Sequence, residues 1–213
     1  DGVLTVAGEL DATTLDISGN ADIDGTMEAD AYTLEGSAFI KLEGTNFTGS
    51  LLVGHATTGT LDAATNNTGV GIYALDALTT ADKNTAVGIR AGTTITTGSE
   101  NTVIGADSGK NLLSAWNNTA VGFQNLYTNA VGTNNVAIGD TALEDSTASN
   151  NTAVGSQALK EVSDSSYNIG LGRRAGDNIT SGDGNVIIGS VDAASATGDR
   201  QLKIAGNDGS TTT

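Results

Sequence analysis

Asn84-Thr85-Ala86-Val87-Gly88, Asn135-Val136-Ala137-Ile138-Gly139 and Asn151-Thr152-Ala153-Val154-Gly155 are copies of one phrase, and that phrase opens a unit repeated along most of the chain. Its asparagine falls at Asn67, Asn84, Asn101, Asn118, Asn135, Asn151, Asn168 and Asn185, at intervals of 17, 17, 17, 17, 16, 17 and 17 residues. A glycine follows four residues later each time, from Gly71 to Gly189, preceded by Val70, Val87, Ile104, Val121, Ile138, Val154, Leu171 or Ile188. A chain that repeats so short a unit is a solenoid, because one unit can bury its apolar face only by stacking on the next.

Within the unit the second position is usually Thr (Thr68, Thr85, Thr102, Thr119, Thr152) and the third is small. A second apolar column stands at the ninth position (Leu75, Leu126, Leu143, Leu159), with Gly92, Gly109 and Gly176 in other turns. A third follows at the twelfth (Leu78, Ile95, Leu112, Val162, Ile179). Short Thr and Val runs bounded by Gly and Asn are strand signals, and the unit has room for two short strands and two bends. The expected fold is all-β: a parallel β-solenoid, or β-roll, of 17 residues per turn. Parallel neighbours about 4.8 Å apart would make eight turns about 40 Å tall. The single short interval should fall in a bend around Thr147–Asn150, where a deletion is tolerated.

Outward from the array, Ser50-Leu51-Leu52-Val53-Gly54 supplies one earlier turn. Residues 1–49 carry another unit, apolar-x-apolar-x-Gly, as in Leu4–Gly8, Leu15–Gly19, Ala21–Gly25, Tyr32–Gly36 and Ile40–Gly44, which suits half-buried strands of a slim β-fibre. After Gly189 the beat fades, and Leu202-Lys203-Ile204-Ala205-Gly206 returns to the N-terminal pattern, with Gly206 again 17 beyond Gly189. The expected organisation is therefore fibre over 1–49, solenoid over 50–190 and fibre again over 191–213.

With 3 Phe, 1 Trp and 4 Tyr against 29 Gly, a wide globular core is not expected. A net charge of −16 opposes binding to nucleic acid or anionic lipid. No run of about 18 apolar residues suggests membrane insertion. Cysteine is absent, so no disulfide or thiolate metal site can form. The chain begins without Met and stops in Thr211-Thr212-Thr213, as expected of a piece of a longer polypeptide.

The Asn-Thr-Ala-Val-Gly phrases resemble the head repeats of trimeric autotransporter adhesins, and still more the repeats of phage tail-fibre proteins. Leu15 to Tyr32 is similar to segments common in tail fibres of marine phages. The resemblance implies a homotrimer of β-rolls in a virion tail fibre, extracellular and attached to a host-surface glycan or protein receptor. A bacterial surface adhesin is the alternative, and a polysaccharide-cleaving tail spike a further one. Against the adhesin stand the long 17-residue turn and Thr where adhesins often carry Val. A physical argument for trimers stands beside the family one: the apolar columns exceed what a narrow coil can cover, and the fifth-position glycine would let another backbone approach.

The asparagine column is read as a structural ladder of stacked side chains. Regular threonine hydroxyls could order water as an ice-binding face, but Val136, Ile169 and Val186 interrupt them. Asp22-Ile23-Asp24-Gly25 and Asp183-Gly184 hint at calcium loops without the full ligand series. His55, the single histidine, could hold a metal only where copies meet. No nucleophile–base–orienter set can be assembled, so neither catalysis nor a cofactor is expected. Trp116, Phe123 and Tyr127 are candidates for a receptor-contacting, sugar-stacking patch or for filling a gap between protomers. Arg173 and Arg174 are expected to pair with Asp140 or Asp107.

Overall fold

The computed structural model describes residues 32–34, 37–41, 47–48, 50–53 and 62–206, and among these there is no helix. The strands are β1 (Tyr32–Leu34), β2 (Ser37–Lys41), β3 (Phe47–Thr48), β4 (Leu51–Val53), β5 (Ala64–Thr65), β6 (Thr68–Val70), β7 (Thr85–Val87), β8 (Thr102–Ile104), β9 (Thr119–Val121), β10 (Val136–Ile138), β11 (Thr152–Val154), β12 (Ile169–Leu171), β13 (Val186–Ile188) and β14 (Leu202–Ile204). From β4 through β6 to β14 each strand pairs in parallel with the next, giving about nine turns of a β-solenoid. The register follows the repeat: Thr85, Ala86 and Val87 lie opposite Thr102, Val103 and Ile104. At the N-terminal end β4 pairs antiparallel with β2, and β2 with β1, within the same sheet. The units at Leu4, Leu15 and Ala21, and the calcium-loop and metal candidates at Asp22, Asp24 and His55, lie outside the described residues.

Each full turn holds one strand of the long sheet, not the expected two. After the strand the chain bends repeatedly through left-handed conformations at the seventh, ninth and seventeenth positions, as at Arg90 (φ 55°), Leu126 (φ 46°) and Asn117 (φ 57°). Such residues cannot continue an extended run, though their amides still bond to adjacent turns: Arg90 N–H donates to Ile72 O at 2.8 Å. The ninth position is thus Leu or Gly for two separate reasons, since Leu fills the core and Gly takes the positive φ without cost.

The fifth-position glycines have φ between 106° and 140°, and a Cβ on Gly88 would lie 2.5 Å from the Gly105 carbonyl oxygen. The backbone that comes close there is the chain's own next turn. The need for glycine there is thus met within one chain, without a second protomer.

Alternation along each strand sends the third residue inward and the second and fourth outward. Ala86, Val103, Ala120, Ala137 and Ala153 are fully buried, together with the ninth- and twelfth-position columns. The branched fourth-position column, expected to be a packing face, lies half-exposed on the outside. The interior is too thin for it. Even small changes are matched: Val103 takes its space because Gly109 has none of its own, and a Cβ on Gly109 would meet Val103 Cγ1 at 3.1 Å.

Two turns are one residue short. In the first, Ala148 takes the fifteenth-position role, accepting from Asn135 Nδ2 as Gly132 accepts from Asn118 Nδ2, so the fourteenth position is lost between Thr147 and Ala148, inside the expected bend. In the second, Gly176 N–H bonds Val191 O where Gly92 N–H bonds Ser108 O, placing the loss between Gly189 and Val191. Ala205, not Gly206, therefore stacks on Gly189 and donates to Ile188 O, and the 17-residue spacing from Gly189 to Gly206 is not the structural register.

Candidate functional site

The asparagine column forms one edge of the coil, and all eight side chains are buried. Asn101 shows the pattern: its N–H and Nδ2 both donate to Asn84 Oδ1, at 3.0 Å each, and Nδ2 also donates to Ala115 O at 2.8 Å, 14 residues on. From Asn67 to Asn151 each amide thereby closes the corner of its own turn and holds the next, whereas Asn168 Nδ2 turns back to Ser165 Oγ at 3.2 Å. Ser50 Oγ begins the ladder by accepting from Asn67 N–H at 2.8 Å. Gln201 ends it by donating through N–H and Nε2 to Asn185 Oδ1 at 2.8 and 3.1 Å. Sequence reasoning missed Gln201 because it sought the 17-residue beat; the signal was Gln before Leu202-Lys203-Ile204, as Asn185 stands before Val186-Ile187-Ile188. With its oxygens and nitrogens so engaged, this column presents nothing to a ligand.

On the outer sheet face the fourth position forms an apolar rank beside the mostly threonine rank of the second. Val70, Val87, Ile104, Ile138, Val154 and Leu171 are 36–39% exposed in one rank. Ile72, Ile89 and Phe123 widen it from the sixth position in the first turns, where Asp140, Ser156, Arg173 and Ser190 stand later. Trp116, Phe123 and Tyr127 do not form one cluster. Trp116 and Phe123 are exposed on either side of β9, while Tyr127 lies beyond the next bend, where its hydroxyl accepts from Lys110 Nζ at 3.2 Å. Among the described residues no ring–ring contact joins the three; Tyr127 is instead covered by the Lys110 ammonium, 5.2 Å from the ring centre.

Charged groups pair along the coil axis. Arg90 grips Asp107 at 2.6 and 2.7 Å through two nitrogens and holds its carboxyl below the usual carboxylate range. Arg174 bonds Gln157 at 2.8 Å and approaches Asp177 at 3.7 Å, so the expected pairing with Asp140 or Asp107 does not form. Where the second short turn leaves a gap, Arg173, Arg174, Asp177, Asp192 and Lys203 line a cleft of about 500 Å³. Burial, then a hydrogen bond that protonated Asp177 donates to Asp192, then the charge of Asp192, push Asp177 up to about 6. The two carboxyls can share a proton, with no hydroxyl or thiol nucleophile lining the cleft except Ser190.

Among the described residues no group of three or more His, Cys, Asp or Glu side chains is placed to hold a metal, and no helix is long and apolar enough to cross a membrane. Compared with protein-family models, curated proteins and solved structures, the chain matches none of them.

Proposed function

We propose that this chain is a structural segment of a phage tail fibre, a non-catalytic homotrimer that extends toward the host cell surface and attaches to it. The observation that carries this reading is the apolar rank from Val70 to Leu171, partly exposed over turn after turn while the core beneath is already filled. Continuous apolar surface of that extent calls for a partner. A second and third copy have the same spacing between turns, so their ranks can meet at every level without slipping out of step. The interface would be widest across the first turns, where Ile72, Ile89 and Phe123 add to it. A rod of stacked turns with its polar edges satisfied supplies reach and stiffness rather than chemistry.

Sedimentation tests the assembly: a particle of three times the 21.2 kDa chain mass is expected, and a compact monomer at micromolar concentration would remove the trimeric fibre. Non-catalysis is tested by incubating the protein with host polysaccharide. Sugar release abolished by Asp177→Asn or Asp192→Asn would replace the reading with a hydrolytic spike.

A further inference from the structure

The seventeenth position forms a second edge of the coil, next to the asparagine ladder, and at two levels its side chains bond from one turn to the next. Lys83 donates to Glu100 at 2.9 Å, and Asn134 Nδ2 reaches Asn150 Oδ1 at 3.4 Å. At Gly184 this edge has no side chain. Tyr167 stands one turn before it and Arg200 one turn after, and a Cβ on Gly184 would meet only Arg200 Cγ, at 3.6 Å. The result is a notch of about 360 Å³ lined by Tyr167, Asp183, Gly184, Asp199 and Arg200. Two turns of parallel sheet span about 9.6 Å, which leaves room for one ring-sized group between an aromatic face and a guanidinium.

The polar groups of the notch are fixed in advance. Asp183 Oδ1 accepts the Ser166 N–H at 2.7 Å, and Asp199 Oδ1 accepts the Asp183 N–H at 2.8 Å. Each carboxylate is thus pinned to the backbone by one oxygen, while its Oδ2 has no protein partner among the described residues. These oxygens are stacked one turn apart. The Arg200 guanidinium makes no ion pair among the described residues and offers donors on the same rim. Tyr167 is 65% exposed with φ 63°, a left-handed backbone that turns its ring out of the coil.

We propose that this notch binds a neutral pyranose unit of a surface saccharide: Tyr167 covers the ring's apolar C–H face, Asp183 and Asp199 accept from vicinal hydroxyls, and Arg200 donates to a hydroxyl or ring oxygen. Acceptors held in place before binding lose little freedom when a sugar arrives. Two carboxylates against one guanidinium, on a chain of net charge −16, select against uronic or sialic acids. The site gives the host-attachment reading a ligand class and rests on that reading only for its purpose.

The test is a printed panel of neutral and acidic oligosaccharides probed with the intact protein, Tyr167→Ala and Gly184→Asn. Gly184→Asn fills the notch with the residue found at Asn117, Asn134 and Asn150 in the same left-handed column, so the fold is kept. Neutral saccharides should bind, and each substitution should weaken binding at least tenfold without moving the melting temperature. Binding to no neutral saccharide, binding to acidic ones only, or binding indifferent to both substitutions would overturn the site. Cell adhesion by the same variants separates the two proposals. Adhesion and panel binding that both survive the two substitutions leave the fibre and remove the notch, whereas saccharide binding by a monomer that does not adhere leaves the notch and removes the fibre.

Discussion

Ala120 and Val121 are neighbours in one strand, yet the smaller is sealed in the core and the larger meets solvent. The same inversion holds in most turns: Ala86 lies inside and Val87 outside, Ala137 inside and Ile138 outside. The ninth- and twelfth-position columns already fill this narrow coil with Leu and Ile, so the strand's bulkier residue is turned outward and becomes surface that a partner can cover. Between the third and fourth positions of most strands, the larger apolar residue therefore marks the outside, while the bulk of the core comes from the ninth- and twelfth-position columns.

The comparison breaks most visibly with a charge in each column. Ala120→Asp puts a carboxylate where nothing can pair with it and should cost about 3–5 kcal/mol, enough to abolish cooperative melting of the array. Val121→Asp should leave the single-chain fold intact, as urea denaturation under dissociating conditions would show, while sedimentation reports loss of the trimer. Equal destabilisation by both would show that the outer column is packed within one chain.

Next in size is the edge that fixes which residue faces inward. Asn118→Ala leaves the Asn135 N–H without its 2.9 Å acceptor and Gly132 O without its 2.9 Å donor, at a cost of about 3 kcal/mol. Asn118→Gln should recover part of this, because it keeps the side-chain amide, and Gln201 already donates through such an amide to the ladder's Asn185 Oδ1. Chemical denaturation of the three proteins measures the order, and an Asn118→Ala midpoint equal to the parent's would remove the ladder as a source of stability.

The legible part of the fold was whatever depended on period. The 17-residue beat determined strand position, parallel register and the Asn ladder, since each needs only that like residues stack. Facing was less legible, because Ala120 inside and Val121 outside both satisfy strand alternation; only the volume available decides between them. The break at Gly189–Val191 was hidden by the accident that Gly206 falls on the beat. The candidate surfaces fared similarly: Trp116, Phe123 and Tyr127 are close in sequence but stand at different stations around the turn, while Tyr167, Asp183 and Arg200 are far apart in sequence and share one rim. Nearness in a solenoid is measured modulo one turn.

Volume matching offers a gentler test of the inner column. Ala120→Val alone should overpack against Leu126 and cost about 1–2 kcal/mol. Adding Leu126→Gly recreates the Val103 and Gly109 pairing and relieves a left-handed Leu, so the double variant should be more stable than the sum of the single changes. Additive effects in thermal melts would mean that the two columns do not share space.

The smallest effect contrasts two carboxylates with opposite shifts. Asp107 is depressed by Arg90, so its stabilisation is present above the ordinary carboxylate range and is lost as pH falls through the depressed value. Asp177 is raised to about 6, so the folded state holds more protons than the unfolded one between about 4 and 6. Its contribution therefore grows as pH is lowered from 7 toward 4 and is absent above 6. Melting temperature should rise slightly on mild acidification and fall again at lower pH. Solvent around the Asp177 cleft screens the effect, which keeps it small. Asp177→Asn should flatten the rise between pH 7 and 4 while leaving the acid fall, and Asp107→Asn should soften the acid fall while leaving the rise. A rise unchanged by Asp177→Asn would assign the mild-acid stabilisation to relief of the chain's general negative charge rather than to the gap left by the short turn at Ser190.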